Sequence, residues 1–177
     1  MSDSTVIETE RLVLCPPRLE DYADSAALWA DAVVTRFTSG RPSTAEEAWS
    51  RLLRYGGLWS LLGFGYWTVR DRATGRFVGE VGFADFQRGL GPDFDGLPEA
   101  GWVLAPWAHG RGLGREAVRA ALAWGDSRGW ARTVCIINPE NGPSLRLAEA
   151  CSYRETSRTT YKDHEVIILD RRPHAGV

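Results

Sequence analysis

Leu104-Ala105-Pro106-Trp107-Ala108-His109-Gly110-Arg111-Gly112-Leu113-Gly114-Arg115-Glu116-Ala117-Val118 is the stretch on which the reading of the fold turns. It begins at the end of a strand, passes through a glycine-rich turn and opens a helix. The strand, Ala100 to Leu104, is short and apolar and is stopped by Pro106, which has no N–H to give to a ladder. Glycines alternate through the turn at 110, 112 and 114. Leu113, Ala117, Val118, Ala121 and Trp124 then recur at spacings of three and four, the stripe of an amphipathic helix. A glycine turn opening a helix aims several backbone N–H groups at one place, beside the positive end of the helix dipole. The stretch therefore predicts a site for phosphate oxygens.

The details discriminate among glycine turns. A P-loop continues Gly-Lys-Ser/Thr, whereas Gly114 is followed by Arg115-Glu116. The dinucleotide fingerprint G-x-G-x-x-G requires glycine at 115, where Arg115 stands. The stretch instead resembles the acyl-CoA pyrophosphate loop of the GNAT superfamily of N-acetyltransferases. That loop is an apolar strand, x-Pro, two spacers and then Gln/Arg-x-x-Gly-x-Gly/Ala. Leu104-Ala105-Pro106 followed by His109-Gly110-Arg111-Gly112-Leu113-Gly114 matches it, with one departure: His109 occupies the Gln/Arg position. The opening Glu8-Thr9-Glu10-Arg11-Leu12-Val13-Leu14 resembles, more weakly, the branch holding the ribosomal-protein N-terminal acetyltransferases.

The 177 residues are expected to form a single domain with a sizeable core. With 21 basic against 23 acidic residues, charge gives no case for nucleic-acid or polybasic membrane binding. Cys15, Cys135 and Cys151 lack metal spacing and, without a signal peptide, fit buried thiols in a reduced, cytoplasmic protein. His109, His164 and His174 are too scattered for a metal set, so no metal is expected. The eight tryptophans read as core and dimer packing.

In chain order, Ile7 to Leu14 reads as one strand and Leu19 to Val33 as one helix. Ser43-Thr44-Ala45-Glu46 has capping-box form ahead of a helix with Trp49, Leu52 and Leu53 on one side. Phe64–Arg70 and Arg76–Phe86 read as a hairpin, with Gly79 and Gly82 allowing a bulge or close packing. Gln87 to Pro98 is a loop, Arg132 to Ile137 a buried strand and Pro143 to Ala150 a helix. Tyr153–Thr160 and Glu165–Asp170 close the chain as two strands, with a frayed tail from Arg171. The strand–helix–strand unit over 100–137 implies a parallel pair, and the hairpins imply antiparallel neighbours. The fold class expected is α/β, mixed and mostly antiparallel. The resemblance implies a sheet with a splayed parallel pair and helices on both faces.

By the same resemblance, Trp102, Val103 and Leu104 line pantetheine, and His109, Gly110, Arg111, Gly112, Leu113 and Gly114 hold the pyrophosphate through main-chain N–H groups. Arg111 or Arg115 adds charge nearby. Asn138 and Asn141 fall on the cofactor's other side, where Asn141 bonds the pantetheine arm or simply caps its own helix. Acyl transfer to an amine asks for a base, an oxyanion donor and an acid for the departing thiolate. Glu99 is the first candidate base or amine anchor and Glu80 the second; either could be an ordinary strand carboxylate. The family's usual tyrosine acid is replaced by Ala148, so Ser144 takes that role by resemblance to the N-terminal acetyltransferase branch. The expected activity is acetyl-CoA-dependent transfer to a primary amine, a protein N-terminus or a small molecule, by direct attack. Asp93, Asp95 and Glu99 hint at a cationic acceptor or are solubilising residues. A homodimer is expected from the family. A non-catalytic acyl-CoA-binding or sensing module remains the alternative, and a protein using the turn for ATP or NAD is disfavoured.

Overall fold

A computed structural model describes residues 5–173. Its sheet has eight strands: β1 (Ile7–Glu8), β2 (Leu12–Cys15), β3 (Tyr66–Asp71), β4 (Phe77–Ala84), β5 (Glu99–Leu104), β6 (Thr133–Ile137), β7 (Arg154–Tyr161) and β8 (His164–Arg171). Their spatial order is β1-β2-β3-β4-β5-β6-β8-β7, antiparallel except at β5–β6. The helices are α1 (Tyr22–Ala30), α2 (Ala32–Thr35), α3 (Ala45–Leu62), α4 (Leu113–Ser127) and α5 (Gly142–Ala150). This is the mixed, mostly antiparallel sheet expected, and α4 is the crossover of the parallel pair.

Strand alternation sends successive side chains of β3 to opposite layers. Trp67 and Val69 join Leu113, Ala117, Ala121 and Trp124 of α4 in the main core. Tyr66 stacks on Tyr55 of α3, Thr68 bonds Asp21, and Arg70 pairs with Asp21 and Asp24 at the start of α1. Helices therefore cover both faces. Trp59, Trp67, Trp124 and Trp130 interlock edge to face with Phe64 and Phe83, so these four tryptophans form one aromatic cluster within the core. Such edge-to-face pairs add to the area each ring buries.

Several local expectations are corrected. The first strand is a small hairpin, because Thr9 turns the chain: its N–H donates to the Leu12 carbonyl and its hydroxyl oxygen accepts from the Leu12 N–H. The first helix breaks at Asp31, which is extended and accepts from the N–H of Val33 and Val34 to cap α2. The capping box of α3 lies one residue later, Thr44 with Glu47, and the buried face is Ala48, Leu52, Tyr55 and Leu58. Trp49 and Leu53 point to solvent. Arg171 is no tail residue: it ends β8 and makes a two-pronged bond to Asp126 at 2.7 Å each. His174 lies outside the described residues. Lys162 and Asp163 both have positive φ, the two-residue turn that a tight hairpin uses.

The expected irregularity in β4 falls between Val69 and Arg70 of its partner, where Val78 has no opposite number. Gly79 sits there at φ +155°, and a Cβ on it would lie 2.2 Å from the Val103 carbonyl oxygen. The bulge presses β4 onto β5 at the end where β5 leaves its other neighbour. No helix among the described residues is long and apolar enough to cross a membrane.

Candidate active site

The parallel pair is closed at one end only. Glu99 lies opposite Val134, the Val134 N–H donates to the Pro98 carbonyl at 3.0 Å, and past that point the strands diverge. β5 stays with β4 through Leu104 opposite Gly79, and the Ala105 N–H donates to Val78. The edge of residues 102–104 that faces β6 is therefore free of any strand among the described residues. Unpaired backbone groups along a half-buried cleft are a template for an extended amide-bearing ligand.

The glycine turn stands at the open end of this cleft. Gly110 and Gly112 have φ of +70° and +76°, and a Cβ at Gly110 would meet nothing within 4 Å. Gly114 packs against Leu104, where a Cβ would come within 2.8 Å of a methyl group. Leu113 buries its side chain in the core, so only its backbone remains for a ligand. Nε2 of His109 lies 2.9 Å from the Leu104 carbonyl, so a ring N–H there ties the turn back to its strand. Arg111 lies over the Trp107 ring, and Arg115 is exposed on the first turn of α4.

Arg11 joins the turn although no motif in the sequence points to it. Its Nη1 donates to the Arg111 carbonyl at 3.0 Å, and its Nη2 is 3.5 Å from where a Gly112 Cβ would stand. Glu116 fixes it, accepting from Arg11 N, Arg11 Nε and the Thr9 hydroxyl. A guanidinium is thus held against the turn from the opposite end of the chain. Arg11 stands in the Glu8–Leu14 stretch already quoted, but nothing within that stretch ties it to the glycine turn.

Across the cleft, Asn141 caps α5, its Oδ1 accepting from the Ser144 N–H at 3.2 Å. Asn138 makes the preceding turn, with its Oδ1 on the Glu140 N–H and its carbonyl on the Asn141 N–H. The Trp102 indole N–H donates to the Ser144 oxygen at 3.2 Å. That bond spends an oxygen lone pair and leaves the serine's own proton to be donated. Ala148 is fully buried. Tyr153 is no substitute acid, since its hydroxyl is buried 2.8 Å from Thr133 Oγ1.

Both candidate carboxylates are buried. Glu99, 5% exposed, accepts two bonds of 2.7 Å from Arg88, whose Nη1 also donates to the Tyr161 hydroxyl. Burial pushes the Glu99 carboxyl up, and the guanidinium pulls against it. Glu80, 3% exposed, accepts from the Ser25 hydroxyl and from the Trp29 indole at 2.8 Å, and burial raises it also. The two stand on the same face of the sheet, Glu80 opposite Val103 and Glu99 two residues before Gly101. Between them the Tyr66 hydroxyl lies over Gly101, 1.9 Å from where a Cβ would be. Its position depends on the facing glycines Gly82 and Gly101, a pairing invisible without the register.

Glu80 carries a testable sign. Its folded pKa is raised above its ordinary 4.5, so the native state holds the extra proton. The stabilisation is complete below that ordinary value and is lost as pH rises through the folded value. Glu80→Gln mimics the protonated form, and denaturant unfolding between pH 4 and 8 should show a shallower fall of stability with pH than in the parent.

The comparisons with known proteins agree with this geometry. The model of the Acetyltransferase (GNAT) domain family matches residues 11–154. A Bordetella pertussis protein assigned to the GNAT-family acetyltransferases superposes with a TM-score of 0.85 at 36% identity, covering 95% of this chain and 99% of that one. The N-acetyltransferase p20 of Bacillus licheniformis is 27% identical over 95% of this chain and 97% of its own. YkkB of Bacillus subtilis is 26% identical over 63% of this chain and 63% of its own length, less than two thirds of that protein. At lower identity the fold recurs in the ribosomal-protein-S5-alanine acetyltransferase of Vibrio fischeri (17%, TM-score 0.74, 97% and 98% covered). It recurs also in a spermidine N-acetyltransferase of Vibrio cholerae solved with CoA and spermine (15%, 0.72, 93% and 96%). The chain belongs to the GNAT family of acetyltransferases.

Proposed function

We propose that the protein transfers an acetyl group from acetyl-CoA to a primary amine by direct attack on the thioester. The observation that carries this reading is the cleft itself: β5 parts from β6 beyond Glu99, with the glycine turn at its mouth and the capped end of α5 across it. Residues 102–104 offer backbone to the pantetheine amides. The N–H groups of 110–114, with Arg11 beside them, offer the pyrophosphate a positive cradle. In this reading the Asn141 amide NH2, left over when its Oδ1 caps α5, and Asn138 serve the same arm from the other wall.

In this reading the acyl carbon lies near Gly101, where the strands begin to separate. Glu99 stands at that apex and serves as the base, through water, because Arg88 spans both its oxygens in plane. Glu80 is the second carboxylate of the same face. Ser144 donates its proton to the thiolate, held in place by Trp102. Calorimetric titration tests the binding half: no heat of binding with acetyl-CoA or CoA at millimolar ligand would overturn the reading. Ser144→Ala is expected to lower kcat by about 10²-fold, the usual range for a positioned proton donor, with CoA affinity unchanged. An unaltered kcat removes Ser144 from the reaction.

A further inference from the structure

Resting on that reading, we infer that the acceptor amine carries an acidic group, a carboxylate or a phosphate, which docks on Arg51 and Arg54 of α3. A cavity of about 520 Å³ opens beside α3, and Arg41, Arg51 and Arg54 reach it together with Ser43, Thr44 and Ser50. Glu46 and Glu47 also line it. Glu47 is committed to Arg41, with bonds of 2.5 and 3.0 Å, and to the α3 cap. Glu46 is exposed in the first turn. Arg51 and Arg54 are left: among the described residues neither has a carboxylate within ion-pair distance. They stand three positions apart on one helix face, where like charges repel. Arg51 is half-buried, and its one hydrogen bond is to the Ser43 hydroxyl at 3.4 Å. A cation held partly out of water beside a second cation is costly unless an anion joins them. Guanidinium forks match a carboxylate or a phosphate.

Their placement ties them to the acceptor side of the reaction rather than to the glycine turn. Arg51 lies over the Trp29 ring at 3.6 Å from its centre, and Trp29 donates to Glu80. Arg54 lies over Phe86 at 5.0 Å, and the same ring lies under Arg88, which holds Glu99. Each arginine is thus linked through aromatic rings to one of the two carboxylates flanking Gly101. Of the three acids that had hinted at a cationic acceptor, Asp95 accepts from the N–H groups of Gly89 and Gly91, Glu99 is paired with Arg88, and Asp93 is in open solvent 3.8 Å from Arg132. The cavity lining itself carries three arginines against two glutamates, Glu47 being paired with Arg41. That excess of positive charge repels a polyamine and attracts an amine bearing an acid.

The test compares matched amines on the CoA-saturated protein by calorimetry: phenylalanine against its amide, phosphoethanolamine against ethanolamine, and spermidine. The acid of each pair should bind at least ten-fold tighter than its neutral partner and tighter than spermidine. Arg51→Gln and Arg54→Gln should each shrink that ratio several-fold, with CoA affinity as the control for folding. A preference for one acid identifies the carboxylate or the phosphate as the group read. Equal binding within both pairs, tighter spermidine, or a ratio unmoved by either substitution would overturn the inference. Because binding is read without turnover, absence of acetyl transfer tells against the proposed activity and leaves this result standing on its own.

Discussion

Gly112→Val should abolish acetyl-CoA binding, raising Kd by more than 10²-fold in a calorimetric titration. Two effects act together. Gly112 has φ +76°, a region where a β-branched residue is an outlier, at a cost of about 1–3 kcal/mol. The branched side chain would also fill the space between the turn's N–H groups and Arg11, whose guanidinium is 3.5 Å from the new Cβ. Relief of the strain would rotate the peptide whose carbonyl accepts the Glu116 N–H in the first turn of α4. His109→Ala gives the contrast. It removes one bond from the ring to the Leu104 carbonyl, worth about 1 kcal/mol, and so a loss of only about five-fold. Gly112→Ala, with strain but little bulk, should fall between. Equal tolerance of Gly112→Val and His109→Ala would show that the turn does not meet the pyrophosphate.

How far the sequence could be read follows from which interactions are local. The turn at 109–114 and the stripe of α4 were legible because proline, glycine and helical spacing act within a few residues. The Asn141 cap was legible for the same reason, and the bulge was half-legible from Gly79. Arg11 and Glu116, 105 positions apart, were not, because their pairing exists only once β2 lies beside α4. The end of α1 and the correct face of α3 failed similarly. Asp31 looked like one more helical residue until its carboxylate is seen capping α2; Leu52 is buried as read, but Trp49 and Leu53 looked like core until Ala48, Tyr55 and Leu58 are seen taking that place. The environment of each carboxylate was wholly tertiary. No pattern near Glu80 announces Ser25 and Trp29, and none near Glu99 announces that Arg88 folds back to it from the loop after β4. The sequence named residues for the chemistry; only the folded contacts say how basic each can be.

Glu99 is therefore where the second large effect is expected. Glu99→Gln should lower kcat by at least 10²-fold at saturating acetyl-CoA and leave CoA affinity unchanged, as loss of a general base does. It should also erase the acidic limb of the pH–rate profile, because that limb reports protonation of the carboxylate. Arg88→Met separates the base from its clamp. Burial raises the Glu99 carboxyl and Arg88 opposes the rise, so removing the guanidinium moves the limb to higher pH. At neutral pH more of the enzyme is then protonated and inactive, and raising the pH recovers activity. The same substitution strips a buried carboxylate of its partner, which costs about 3–5 kcal/mol when the group stays charged. That penalty grows as pH rises, opposite in direction to the recovery of rate. Activity and stability of Arg88→Met should consequently diverge with pH, a signature that a purely structural ion pair does not produce. If Glu99→Gln keeps its acidic limb while Glu80→Gln loses it, the base is Glu80, and the Arg88–Glu99 pair serves to fix the loop against Tyr161.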